Sequence, residues 1–237
     1  LSNFEISKKL EIKINPKNFF VNNKKINNTK TKAISLFSGA GGLDIGCQLA
    51  DVEVLSCMDF DKDSIETLRS NAYFKNTEHF IEDIRNFNLK NYNKIISKKK
   101  PNKLILTGGP PCQPFSKAGY WVTHKNRLAD KDPRNMITQY LSVIKQIDPD
   151  GFVLENVESI LHPKNINIVK QIEEFIYKNN FNFIRFKCDA INYGVPQKRK
   201  RVFFIASKKK IKGEPKITHG ENFKEFERGI DWIYKFD

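Results

Sequence analysis

The sequence predicts an α/β protein with a Rossmann-like, open, mostly parallel twisted sheet and helices on both faces. Three observations predict it. Short apolar runs alternate along the chain with stretches of helical spacing. The runs "AISLF" (33–37), "KLILTG" (103–108) and "GFVL" (151–154) are nearly continuous in apolar residues, as strands covered on both faces are. Each runs straight into an unusual segment: "SGAGG", a proline-framed cysteine, and "ENV". In open α/β sheets ligands bind beyond the carboxyl ends of the strands, so these three segments are expected to converge in one crevice.

Residues 1–32 are rich in Lys and Asn with few periodic apolar positions. They read as a basic, irregular extension with a short hairpin around "FFVNNKKIN". The character changes at residue 33, where "AISLF" leads through the glycine turn into the helix-like "LDIGCQLA" (43–50). "VEVLSCMD" (52–59) is a second strand, and "DKDSIETLRSNAY" (61–73) an amphipathic helix with an acidic start. After "KLILTG", "RNMITQYLSVIKQI" (134–147) has helical spacing and "GFVLEN" (151–156) is a strand. "NINIVKQIEEFIYKN" (165–179) is helical, with Ile166, Val169, Ile172 and Ile176 on one face. "NFIRFKCDA" (182–190) and "RVFFIA" (201–206) are β-like and close the series. The expected organisation is therefore an extension over 1–32, a catalytic domain over 33–210 and a linker-like tail over 211–237.

Composition narrows the function classes. The 237-residue chain carries a formal net charge of +14, a pI near 9.5 and a mean hydropathy of −0.53. That charge favours a polyanionic partner such as nucleic acid, and "QKRKRVFFIASKKKIK" (197–212) holds no acidic residue. The competing source is a compositional bias toward Lys, Asn and Ile. No apolar run approaches the roughly 18 residues of a membrane span, and the first residues lack a secretory pattern. Cys47, Cys57, Cys112 and Cys188 show no CxxC spacing, so neither a zinc site nor a disulfide framework is indicated. The expectation is a reducing, cytoplasmic setting with no metal.

The candidate site residues each have a plainer reading beside them. Gly39, Gly41 and Gly42 open a helix after a strand, where backbone amides can face a ligand, although a purely structural turn has the same look. Asp59 ends the second strand about twenty residues on, where an acid grips ribose hydroxyls in nucleotide-binding sheets. Phe60 could stack on an adenine or belong to the core, and Asp83 could accept from an adenine amino group or sit on the surface. Cys112 is restrained by Pro110, Pro111 and Pro114, a frame that a thiol merely filling a core does not need. Glu155 and Asn156 end an apolar run, where a carboxylate would be costly if buried and unpaired. In the basic run, alternation sends Gln197, Arg199 and Arg201 to one side and Lys198 and Lys200 to the other.

Taken together and in this order, "FSGAGG", "PPCQPFS", "ENV" and "QKRKR" closely resemble the cytosine-5 DNA methyltransferase family over about residues 33–206. The resemblance implies S-adenosylmethionine as methyl donor, S-adenosylhomocysteine as product, and double-stranded DNA as partner. It implies that Phe37, Gly39, Ala40, Gly41 and Gly42 shape the donor pocket with Pro111. Asp59 would hold the ribose, Phe60 the adenine face, and Asp83 with Ile84 the adenine edge. Cys112 would be the nucleophile, Glu155 would contact the cytosine beside Asn156, and Arg201 would support the base with Arg199. Carbon 5 of cytosine is too weak a nucleophile to take a methyl group unaided. Thiolate addition at carbon 6 enriches carbon 5, and a proton from Glu155 at ring nitrogen 3 keeps charge from accumulating. The base must leave the duplex for this, and residues 116–134 resemble the family's mobile closing loop.

The family pattern continues with a target-recognition region and two further motifs that do not follow "PKITHGEN" here. The expectation is a fragment or, slightly favoured, the catalytic subunit of a split restriction-modification enzyme whose second polypeptide carries recognition. Alternatives are a tRNA cytosine-5 methyltransferase and a catalytically silent regulatory or binding subunit.

Overall fold

The computed structural model describes residues 31–111 and 136–219. Within them, strands β1 (Thr31–Leu36), β2 (Glu53–Asp59), β3 (Glu78–Ile81), β4 (Lys103–Gly108), β5 (Gly151–Val157), β6 (Asn182–Asp189) and β7 (Lys200–Ser207) form one sheet. Its order is β3-β2-β1-β4-β5-β7-β6. All neighbouring pairs from β3 to β5 are parallel, and β7 lies antiparallel between β5 and β6. The reversal follows from the connection. Only residues 190–199 join β6 to β7, too few for the crossover a parallel pairing requires.

Among the described residues five helices flank the sheet: α1 (Gly42–Leu49), α2 (Lys62–Ser70), α3 (Leu89–Lys99), α4 (Ile137–Ile147) and α5 (Ile166–Lys178). Side chains leave a strand alternately to its two faces, so β1 feeds two cores. Ile34 and Leu36 pack with Leu106, Phe152, Leu154 and Phe204 beneath α3, α4 and α5. Ala33 packs on the other face with Val54, Cys57, Ile65 and Leu68, where α1 and α2 lie. The predicted α/β architecture with helices on both faces is the one observed. No helix among the described residues is long and apolar enough to cross a membrane.

The structure departs from the sequence reading in four places. Strand β3 and helix α3 were not expected. The four-residue "EHFI" alternates too little to stand out, and α3 buries only Tyr92 and Ile95 amid Lys and Asn. Ile166 opens α5 and is exposed; Ile168 joins Val169, Ile172 and Ile176 on the buried face instead. "ENV" lies inside β5 rather than after it, because β7 pairs along its full length. The basic strand starts at Lys200, leaving Gln197 and Arg199 in the preceding link. Cys112, the closing loop expected over 116–134, most of the N-terminal extension with the hairpin expected there, and the end of the tail lie outside the described residues.

Candidate functional site

The turn after β1 is fastened to β2 before any ligand is considered. Ser38 donates its amide to the Met58 carbonyl (3.1 Å), and its hydroxyl accepts from the Met58 amide (3.1 Å) and donates to Ser35 Oγ (2.9 Å). Phe37 adopts φ 55°, a left-handed conformation uncommon outside glycine. Gly39, at φ 52°, donates its amide to Asp59 Oδ2 (2.8 Å), while Asp59 Oδ1 accepts from the Asp61 amide (2.9 Å). Asp59 therefore ties the glycine turn to the end of β2. Ala40 is exposed and lines neither cavity described below. Gly41 accepts the Ile45 amide at the start of α1 (2.8 Å).

A 180 Å³ cavity opens at the carboxyl ends of β1, β2 and β3. Phe37, Asp59, Phe60, Asp83, Ile84 and Pro111 all line it, so six residues singled out from separate motifs meet there. Phe60 is 70% exposed, which removes it from the core and leaves its ring available to a ligand. Asp83 caps the short turn Ile84–Asn86 and accepts two bonds from Arg85 Nε (2.9 and 3.0 Å). The Arg85 guanidinium holds its carboxyl below the usual carboxylate range. Met58, Glu82, Arg85 and Met136 complete the wall; none carries a motif signal, since each is placed by its neighbours.

A 530 Å³ cavity lies beside it, lined by Ser35, Gly42, Gly109, Glu155, Arg199 and Arg201 among others. Phe37 contributes to both cavities. Glu155 Oε1 meets Arg201 Nε at 2.7 Å, so the carboxylate ending the apolar run is paired. The antiparallel register sets Arg201 opposite Val157 and Phe203 opposite Glu155, which brings the two charges to one face. A Cβ at Gly109 would lie 2.9 Å from Glu155 Oε2, so a side chain there would displace that carboxylate oxygen. Asn156 points the other way and is 1% exposed. Its Nδ2 donates to the Pro110 carbonyl (3.2 Å), and its Oδ1 accepts from the Val157 amide (2.9 Å). One side chain of "ENV" thus enters the cavity while the next holds the backbone two residues before Cys112.

The expected alternation in the basic run holds for the arginines. Arg199 and Arg201 line the larger cavity and Lys200 does not, whereas Gln197 sits in the link without reaching it. Sequence reasoning missed Cys188, which lines the same cavity opposite Arg201 in the β6–β7 register. Burial first, and then Glu155, pushes its thiol up. The predicted convergence is borne out for the described parts of all three segments. The chemistry on offer is a largely apolar slot edged by carboxylates beside a roomier, also largely apolar cavity holding an oriented carboxylate–guanidinium pair.

The sequence profile of the family described as C-5 cytosine-specific DNA methylase matches residues 31–231. The chain belongs to that family. Type II methyltransferase M.FnuDI of Fusobacterium nucleatum is 34% identical over 181 residues, covering 76% of this chain and 48% of its own. Type II methyltransferase M.AquIA of Picosynechococcus sp. is 32% identical over 206 residues, covering 80% of this chain and 77% of its own. A solved protein described as a DNA modification methyltransferase encoded within an E. coli prophage superposes with a TM-score of 0.62. It is 28% identical and is matched over 75% of this chain and 46% of its own. The chain spans about half the length of M.FnuDI and of other curated relatives it matches.

Proposed function

We propose that this cytosine-5 methylase family member is the catalytic part of an S-adenosylmethionine-dependent DNA methyltransferase of the restriction-modification type. The observation that carries the reading is the Glu155–Arg201 pair, set in a cavity that also receives the glycine turn and the strand end leading to Cys112. The residues present fit the methyl donor. The smaller cavity offers an exposed aromatic face at Phe60, buried apolar walls at Ile84 and Met58, and carboxylates at Asp59 and Asp83. Those are the features an adenosine needs: a flat surface, and acceptors for amino and hydroxyl groups. When bound, the donor supplies an electrophilic methyl group.

The chain's own residues do the rest. Cys112 adds as thiolate to carbon 6 of an extruded cytosine, and Glu155 delivers a proton at ring nitrogen 3. Arg201 orients the Glu155 carboxylate through Nε and stabilises charge on the base together with Arg199. Asn156 holds the Pro110 carbonyl and so steadies the turn that carries the thiol. After methylation, loss of the carbon 5 proton to solvent and return of the nitrogen 3 proton to Glu155 expel the sulfur as thiolate and restore the ring. A second polypeptide, or a further region, carrying target recognition belongs to this reading, since about half the length of several relatives falls outside the match. The test is transfer of labelled methyl from S-adenosylmethionine to duplex DNA and to tRNA, with and without a second polypeptide carrying target recognition. DNA labelling and a trapped complex on 5-fluorocytosine DNA are expected; labelling of tRNA alone would overturn the substrate assignment.

A further inference from the structure

The chain that follows β7 returns to the site it has just left. Strand β7 ends at Ser207, in register with Gly151, at the amino ends of the parallel strands and away from both cavities. Lys208 is still tied there: its amide donates to the Asp150 carbonyl (2.8 Å) and its Nζ meets Asp148 Oδ1 (2.7 Å). Residues 208–219 form neither helix nor strand, yet they finish at the opposite end of the sheet. The amides of Thr218 (3.1 Å) and His219 (2.9 Å) both donate to the Asn192 carbonyl, filling its two lone pairs. The His219 ring lies over Gly194, where an added Cβ would come within 3.1 Å of its Cε1. Thr218 Oγ1 stands 2.9 Å from His219 Nδ1 and fixes the rotation of the ring.

Reach alone does not place this contact. Strand β6 rises over roughly 26 Å, whereas residues 208–219 could extend to about 40 Å, so the returning segment has slack. A latch, not chain length, brings it to Asn192. Gly194 serves that latch twice: its φ of 89° suits glycine, and its missing side chain leaves the seat for the ring. What the latch holds is a wall of the larger cavity. Asn192 and Gly194 belong to the link between β6 and β7, whose Ala190, Val195 and Arg199 line that cavity beside Cys188. The link is bonded across itself. Val195 donates its amide to the Ala190 carbonyl (3.2 Å), Ala190 to the Arg199 carbonyl (3.1 Å), and Arg199 to Asp189 Oδ1 (2.9 Å). A displacement at Asn192 or Gly194 is therefore carried to Arg199.

We propose that His219 is a positioning residue for the transfer step: seated on Gly194 beside the two-amide clip on Asn192, it fixes the link that carries Arg199 into the larger cavity. The role rests on the methyltransferase reading above and lies outside the chemistry assigned there. It predicts an effect on turnover and none on the methyl donor, whose cavity the link does not line.

The experiment is a double-mutant cycle on the wild-type chain, His219→Ala, Gly194→Ala and the pair, with His219→Phe added because it keeps a flat ring on the seat. Hydrogen exchange at the amides of 190–199 and alkylation of Cys188 by iodoacetamide, mapped by mass spectrometry, report the wall without turnover. Single-turnover transfer at saturating S-adenosylmethionine and calorimetry of S-adenosylhomocysteine report the site. His219→Ala is expected to speed exchange and alkylation severalfold and to slow transfer severalfold at unchanged S-adenosylhomocysteine affinity, with His219→Phe close to wild type. Gly194→Ala is expected to cost less in the His219→Ala background than alone, since the ring contact is already gone. Unchanged exchange and alkylation in His219→Ala, a loosened link with transfer intact, additive effects in the pair, or His219→Phe as impaired as His219→Ala would overturn the proposal. A wild-type chain that labels neither DNA nor tRNA would instead overturn the methyltransferase reading, while exchange and alkylation still decide whether the latch holds the wall.

Discussion

The two cavities share Phe37 but are built in different ways. The lining of the smaller one runs from Phe37 to Met136, but its carboxylates are tied over shorter spans: Asp59 to the amides of Gly39 and Asp61, Asp83 to Arg85 two residues on. The larger one owes its charged pair to strands far apart in the chain, brought together by the reversed β7. Local ties pre-form a shape that can hold a ligand; the long-range pair aims charge at a point in space. The difference teaches that substitutions in the smaller cavity should act on donor affinity, and those in the larger on turnover.

Four substitutions sharpen or break that division. Cys112→Ala is expected to reduce methyl transfer to background and abolish trapping on 5-fluorocytosine DNA, with S-adenosylhomocysteine affinity unchanged; a trapped complex in the variant would end the covalent mechanism. Glu155→Gln keeps the shape and removes the proton. Single-turnover transfer is expected to drop about 10²–10⁴-fold at constant donor affinity. A matching rise in the donor dissociation constant would erase the distinction between the cavities.

Gly109→Ala presses a methyl group to within 2.9 Å of Glu155 Oε2. The displaced carboxylate is expected to cost up to about 10²-fold in turnover, again without weakening the donor. Unaltered turnover would mean that Glu155 needs no fixed position. The smallest effect belongs to the other cavity. Phe60→Ala removes an exposed stacking face and is expected to weaken S-adenosylhomocysteine about tenfold by calorimetry, with single-turnover transfer at saturating donor preserved. A loss of turnover at saturation would show the two cavities to be energetically fused.

Legibility in the sequence follows the same divide. The glycine turn, Asp59 about twenty residues later, and the strand-end positions were readable because they reflect backbone rules acting over short spans. Strand β3 escaped because four residues of mixed polarity carry no period, yet it is β3 that brings Glu82 and Asp83 to the smaller cavity. Cys188 escaped because nothing in its own segment marks it; only its register opposite Arg201 does. His219 escaped because a lone histidine in a polar tail carries no period or motif, and only the returning chain seats it on Gly194.

What the sequence determined by itself was the layering of the fold and the three segments at the ends of its strands. Apolar periodicity and turn chemistry are local, and each residue votes for them independently. What only the tertiary structure decided was which groups face one another: the short link after β6 reverses β7, the reversal sets its register on β5, and that register brings Arg201 to Glu155, while the parallel β4–β5 pairing sets Asn156 beside Pro110. Pairing between strands is a property of the assembled sheet, where a shift of one residue would carry Arg201 to the opposite face.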